Sequence, residues 1–156
     1  MKKIIPIFLG ILFVLAISLR GQTEMAGELN REDILQNCPD WQEVVASYFP
    51  KADIVDKLKA VNREIEIEIY LGTWCPDSKA HVSAYFKILD LVANPLIRTT
   101  YIGLPRDKQA RLPYLQAKDI QKLPTFLVSI DGKEKGRIIE TPAKSVEEDL
   151  LEIIEK

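Results

Sequence analysis

Residues 64–76 constrain the fold more than any other part of the chain. Glu64-Ile65-Glu66-Ile67-Glu68-Ile69-Tyr70 alternates charged and apolar side chains, the two-residue period of a strand with one apolar face. Leu71-Gly72-Thr73 leads from it into Trp74-Cys75-Pro76. A proline suits the first position of a helix, because its φ is already helical and its missing N–H would have no partner there. Ala80, Ala84, Ile88, Leu91 and Val92 then keep helical spacing as far as Asn94-Pro95. A strand therefore turns into a helix within a few residues, and a cysteine sits at the turn. Such a unit needs helices packed on a sheet, which places the chain in the α/β class.

The neighbouring elements read off in the same way. Asp40 and Glu43 have the spacing of a capping box. Trp41, Val44, Val45, Tyr48 and Phe49 follow as the apolar stripe of a helix that Pro50 stops. Asp53 opens a second helix, with Ile54, Val55, Leu58 and Val61 facing inward. Residues 97–103 read as a second strand. Residues 104–122 are rich in proline and charge and hold a short helix near Tyr114-Leu115. Residues 125–130 and 134–140 flank Asp131-Gly132, a strong hairpin signal. Ser145 and Glu148 repeat the capping-box spacing before a last helix, whose buried stripe is Val146, Leu150, Leu151, Ile153 and Ile154. The order is helix, helix, strand, helix, strand, short helix, strand, strand, helix.

The first 20 residues are of another kind. Lys2 and Lys3 precede an uncharged apolar run over residues 4–19, the pattern of a secretory signal. The run is short for a membrane span, which takes roughly 20 residues. Ala16-Ile17-Ser18 offers small residues at a cleavage spacing, and Arg20 makes that site irregular. Residues 1–20 are thus a signal peptide or an uncleaved N-terminal anchor. Both readings send the rest of the chain to the periplasm or another extracytoplasmic space, since the lysines stay inside. Membrane contact is expected only through that anchor. Residues 21–37, with Gly21, Gly27 and Asn30, read as a polar linker, and 38–156 as one domain.

Removing Lys2, Lys3 and Arg20 from the 21 basic residues leaves 18 against 23 acidic ones, a net charge of −5. Nucleic acid is not an expected partner for so acidic a domain. Two thiols, Cys38 and Cys75, and the single His81 are too few for a structural zinc site, and no cofactor is expected. Export makes disulfide chemistry available to both cysteines.

Cys75 is the candidate centre of that chemistry. A sulfur at a helix N-terminus meets free backbone N–H groups and the positive end of the helix dipole, which favour a thiolate and make a cysteine reactive. Lys79, one turn on, adds to this if its amine reaches back. Trp74 would shield one side and offer an apolar surface to a partner. His81 lies on a different helical face from Cys75, so a Cys-His hydrolase is not indicated.

Gly72-Thr73-Trp74-Cys75-Pro76-Asp77-Ser78-Lys79 resembles the active-site segment of the thioredoxin family, in its Pro-Asp variant. Ile120-Gln121-Lys122-Leu123-Pro124-Thr125-Phe126 resembles the loop that carries the family's cis-proline. Asp131-Gly132-Lys133 falls where the family's β-hairpin turn falls. The likeness spans about residues 62–155. It implies a thioredoxin-like fold: three layers, α/β/α, around a central mixed sheet of about four strands, here with an N-terminal helical extension. It also implies a cis Pro124 beside Cys75, with the Leu123 backbone exposed to pair with a substrate peptide as an added strand. Trp74, Pro76, Leu123, Pro124 and Thr125 are then the expected substrate-binding residues. Cys75, Ser78 and Cys38 are the candidate catalytic ones.

Two positions depart from the family pattern. Ser78 stands where the second redox cysteine would be and cannot resolve a mixed disulfide. Its hydroxyl can instead donate a hydrogen bond to a Cys75 thiolate. Ile69 replaces the family's buried carboxylate, and Glu68 beside it points to the opposite face. Cys38 supplies the missing thiol if its Cα comes within about 7 Å of that of Cys75; otherwise it packs as a small hydrophobe beside Trp41. Glutamates alternating along a central strand imply that one face of the sheet is thinly covered or is covered by the extra N-terminal helices. Two functions fit. One is thiol–disulfide exchange through Cys75, with exported protein thiols and disulfides or small-molecule disulfides as partners. The other is a redox-inactive module that binds a peptide in the groove beside Pro124.

Overall fold

The computed structural model describes residues 24–156, so the expected leader, residues 1–20, lies outside it. In chain order the elements are β1 (Gly27–Leu29), α1 (Arg31–Asn37), α2 (Asp40–Ser47), α3 (Ala52–Lys59), β2 (Ile65–Leu71), α4 (Pro76–Val92), β3 (Ile97–Gly103), α5 (Lys108–Lys118), β4 (Thr125–Ile130), β5 (Lys133–Ile139) and α6 (Val146–Ile154). The described strands form one mixed sheet in the order β1-β3-β2-β4-β5. β2 lies at its centre, parallel to β3 and antiparallel to β4, while β1 and β5 close the two edges antiparallel to their neighbours. Asp131 and Gly132 both take positive φ, 53° and 70°, which is what a tight turn between β4 and β5 requires.

The alternation along β2 divides the protein. Ile65, Ile67, Ile69 and Leu71 are buried on one face, in the larger core with Trp41, Val82, Phe86 and Leu150. Each such side chain removed from water contributes about 1.5–3 kcal/mol. Tyr85 meets Phe126 edge-on at 5.6 Å and Phe86 meets Tyr101 at 5.4 Å, which locks α4 onto the sheet. The opposite face is covered only in part. Tyr70 is buried there with Leu104, Ile120 and Leu123 beneath Tyr114 and Leu115 of α5. Further along, Glu66 is exposed, and Glu68 accepts hydrogen bonds from the Tyr70 hydroxyl at 2.7 Å and from Lys118 Nζ at 2.8 Å. Burial works against the Glu68 carboxylate, yet Lys118 and Tyr70 together hold its pKa below the ordinary value.

The N-terminal boundary differs from expectation. Residues 27–37, read as linker, form β1 and α1, so the folded unit starts ahead of residue 38 and β1 adds a fifth strand to the expected four. A three-residue strand is too short to show a period, and α1 buries only Ile34. Both are held by contacts distant in sequence. Arg31 makes a bidentate ion pair with Asp90 at 2.5 and 2.7 Å and lies 5.1 Å from the Phe86 ring centroid. A Cβ at Gly103 would fall 2.6 Å from the Met25 carbonyl oxygen, so the glycine is what lets the chain ahead of β1 lie against β3.

Two further details are corrected. Asp40 does not cap α2; Pro39 holds the cap position without a side-chain bond, and the Asp40 carboxylate accepts from Lys79 Nζ at 2.7 Å. Phe49 is 84% exposed, because α2 ends at Ser47 and Tyr48 is already extended, which turns the stripe away from the core. Ser145 does cap α6, accepting from Glu148 N at 3.3 Å.

Candidate functional site

The parallel register of β2 and β3 sets Leu71 opposite Gly103, so both strands leave the sheet along the same edge. Leu104 N donates to Leu71 O at 2.8 Å and prolongs the pairing one step beyond. After β2 the chain makes a tight turn. Cys75 N donates to Gly72 O at 2.9 Å, and Gly72 N donates to Ser78 Oγ at 3.1 Å. Gly72 has no room for a side chain: a Cβ there would meet the Trp74 indole at 2.8 Å. Pro76 is the first residue of α4 and Cys75 is its N-cap, with its carbonyl accepting from Lys79 N at 3.0 Å.

The Cys75 sulfur is therefore carried at the positive end of a 17-residue helix and is partly exposed. It caps no helix N–H. Its S–H instead donates to the Leu123 carbonyl at 3.7 Å. The Leu123–Pro124 peptide is cis, and it brings Leu123 against the sulfur from the far side of the turn. Pro124 is buried, and its carbonyl accepts from Glu140 N at 2.7 Å. Thr125 is also buried, and its hydroxyl donates to Lys122 O at 2.8 Å. These two residues brace the loop from beneath. Trp74, half-buried, and Pro76, exposed, form the outer rim.

Ser78 is fully buried, and the bond it makes is different from the expected one. Its oxygen accepts from the Gly72 N–H and ties the start of α4 to the end of β2. Lys79 does not reach back to the sulfur, because its ammonium is paired with Asp40. Ile69 is buried in the larger core at the position of the family carboxylate, with Glu68 on the opposite face as the alternation requires. His81 lies away from the sulfur, lining a groove with Val44, Tyr48 and Ala84, where burial lowers its pKa against the opposing effect of Asp77.

Cys38 and Cys75 are both free. Cys38 is 1% exposed in the larger core, whereas Cys75 packs against the separate cluster of Tyr70, Leu104, Ile120 and Leu123. Burial, and secondarily Asp40, pushes the Cys38 thiol pKa up.

Two residues at the site were not anticipated. Arg106 and Arg111 stand over the Trp74 ring, with Cζ 5.3 and 4.7 Å from its centroid. The indole is held still, donating from Nε1 to Leu104 O at 3.0 Å. In the sequence they belong to a connector with no motif of its own. The available signal was topological: a chain leaving β3 parallel to β2 must pass the turn that holds Cys75.

A family model described as Thioredoxin matches residues 28–152. No curated protein sequence matches the chain. Among solved structures, a protein of unknown function from Pseudomonas aeruginosa is similar at 19% identity with a TM-score of 0.65, over 83% of this chain and 92% of that one. An HIV epitope-scaffold is similar at 20% identity with a TM-score of 0.64, over 83% and 93%. These two likenesses concern the fold.

Proposed function

This chain belongs to the thioredoxin family, and from that premise we propose that it is an exported protein that performs thiol–disulfide exchange through Cys75 as its sole nucleophile. The observation that carries the proposal is the place of the sulfur: partly exposed, at the N-cap of α4, and facing the Leu123 carbonyl. Export is supported by the charged and apolar pattern of residues 1–20.

The Cys75 thiolate attacks one sulfur of a partner disulfide. A Cys75–partner disulfide forms, the partner's own S–S bond breaks, and the second partner sulfur leaves as a thiolate. Ser78 has no sulfur with which to displace the bound partner, and its oxygen serves the Gly72 N–H. Cys38 is shut inside the larger core. An external thiol therefore completes the cycle by attacking the mixed disulfide and releasing the Cys75 thiolate. Exported protein thiols and disulfides, or small-molecule disulfides, are the partners.

Hydroxyethyl disulfide, an uncharged probe, tests this. The reduced protein should gain one hydroxyethylthio group at Cys75, visible as an intact-mass increase. That adduct should persist until dithiothreitol is added. No adduct at Cys75 would refute the proposal. The redox-inactive alternative draws on the commitment of Ser78 to the backbone. It would prevail if the adduct fails to form and Cys75→Ala still binds a peptide captured by the wild type.

A further inference from the structure

The side of the site beyond Trp74 carries positive charge that no carboxylate neutralises. Four other cations each have a carboxylate partner: Lys79 with Asp40, Lys118 with Glu68, Lys122 with Glu140 and Arg137 with Glu134. Among the described residues, neither Arg106 nor Arg111 faces a carboxylate; both stack on Trp74. Arg111 is fixed in place, its Nε donating to Pro105 O at 2.6 Å and its Nη2 to Arg106 O. Arg106 is exposed. Asp107, its neighbour, spends its carboxylate on Ala110 N at 2.9 Å as the cap of α5. Two guanidiniums beside a reactive thiol, in a chain of net charge −2, form a local anion-binding surface.

We propose that this surface selects the partner: Cys75 exchanges with polypeptide cysteines that carry an Asp or Glu two or three residues away. The inference rests on the exchange reading above and adds the substrate class. The guanidiniums lie against the indole of the residue before Cys75, so a ligand bonded to the sulfur meets them by extending along the Trp74 side of the site. An extended chain advances about 3.3 Å per residue, which sets the two- to three-residue offset. Arg offers a planar fork that takes a carboxylate in bidentate fashion, and exposed Arg106 keeps its fork free for one, while Arg111 spends Nε and Nη2 on loop carbonyls and adds charge. A short acidic disulfide lacks the reach.

The test compares rates of adduct formation at Cys75 from three mixed disulfides: a peptide with Glu two residues from its cysteine, the same peptide with Gln there, and dithiodiglycolate. In low salt the Glu peptide should react about threefold to fivefold faster than the Gln peptide, the gain expected from one or two surface ion pairs. Half-molar salt should remove most of that advantage. Arg106→Gln should reduce it, and Arg106→Lys should retain part of it. Arg106 is the residue to change because Arg111 also holds the loop carbonyls. Equal rates for the two peptides, or an advantage untouched by Arg106→Gln, would overturn the inference. An equal advantage for dithiodiglycolate would assign the surface to small acids and overturn the polypeptide assignment. The Gln peptide is the internal control: its failure to label Cys75 would remove the exchange reading itself.

Discussion

Cys38 and Cys75 stand at opposite ends of helices. Cys38 is the C-cap of α1, its N–H bonded to Ile34 O at 2.9 Å. Cys75 is the N-cap of α4. The dipole at a helix C-terminus disfavours negative charge and the one at an N-terminus favours it. Burial adds to the contrast, since Cys38 lies in the larger core and Cys75 at the rim of the site. The two segments are nonetheless neighbours, because the Asp40–Lys79 ion pair joins α2, just after Cys38, to α4, just after Cys75. One residue type thus becomes a buried thiol or a partly exposed one according to which end of a helix it caps and which face of the sheet it packs on.

The largest expected effect is on access. Iodoacetamide should label native protein at Cys75 and leave Cys38 unmodified until the core opens. Opening a buried core position costs much of the global stability, so protection of about a thousandfold or more is expected. Cys75→Ala should abolish native labelling, and denaturant should restore one label at Cys38. Peptide mapping of the alkylated protein reads both sites. Comparable native labelling of the two thiols would erase the contrast.

A smaller effect concerns what holds Cys75 at its helix end. Ser78→Ala leaves the Gly72 N–H without the acceptor it has at 3.1 Å in a buried turn. An unpaired buried donor costs about 1–3 kcal/mol. Thermal denaturation should show a drop of several degrees, and labelling of Cys75 should persist with altered rate. An unchanged Tm would mean that water or another group serves Gly72 and that Ser78 is not the brace of this turn.

Much of this arrangement is legible in the sequence, and the exceptions share a cause. The alternation over residues 64–70, the proline after Cys75 and the Asp131-Gly132 turn are local signals, and the elements they predict are where they should be. The exposed Glu66 and the Glu68–Tyr70–Lys118 group on the thinly covered face follow from the same alternation. β1 and α1 are illegible because they depend on Arg31 meeting Asp90 and on the bare backbone of Gly103. Asp40 and Glu43 have the spacing of a cap, but Lys79, distant in sequence, claims the Asp40 carboxylate. Arg106 and Arg111 come to the site only through the parallel pairing of β2 with β3. In each case a tertiary partner decided between local options that the sequence leaves equal.

The smallest effect lies in the alkaline limb of stability, and it bears on Cys38 alone. Burial and Asp40 raise the folded-state pKa of this thiol above its ordinary value of 9.0. Well below pH 9 both folded and unfolded chains keep the proton, so the thiol adds no pH dependence. Above it the unfolded chain releases the proton while the folded chain retains it, and stability falls as pH rises. At pH 9.5 the loss is on the order of 1 kcal/mol at most for one such group. Four tyrosines, which burial also raises, Tyr101 from 10.0 to about 12 and Tyr48, Tyr70 and Tyr85 further, add a smaller decline each as their unfolded forms start to ionise near pH 10. Urea denaturation at pH 8 and pH 9.5, both in a Cys75→Ala background, isolates the effect. Replacing Cys38 with Ala should reduce the pH dependence between those two points, whereas an identical slope would show that the Cys38 thiol ionises as readily in the folded chain as in the unfolded one.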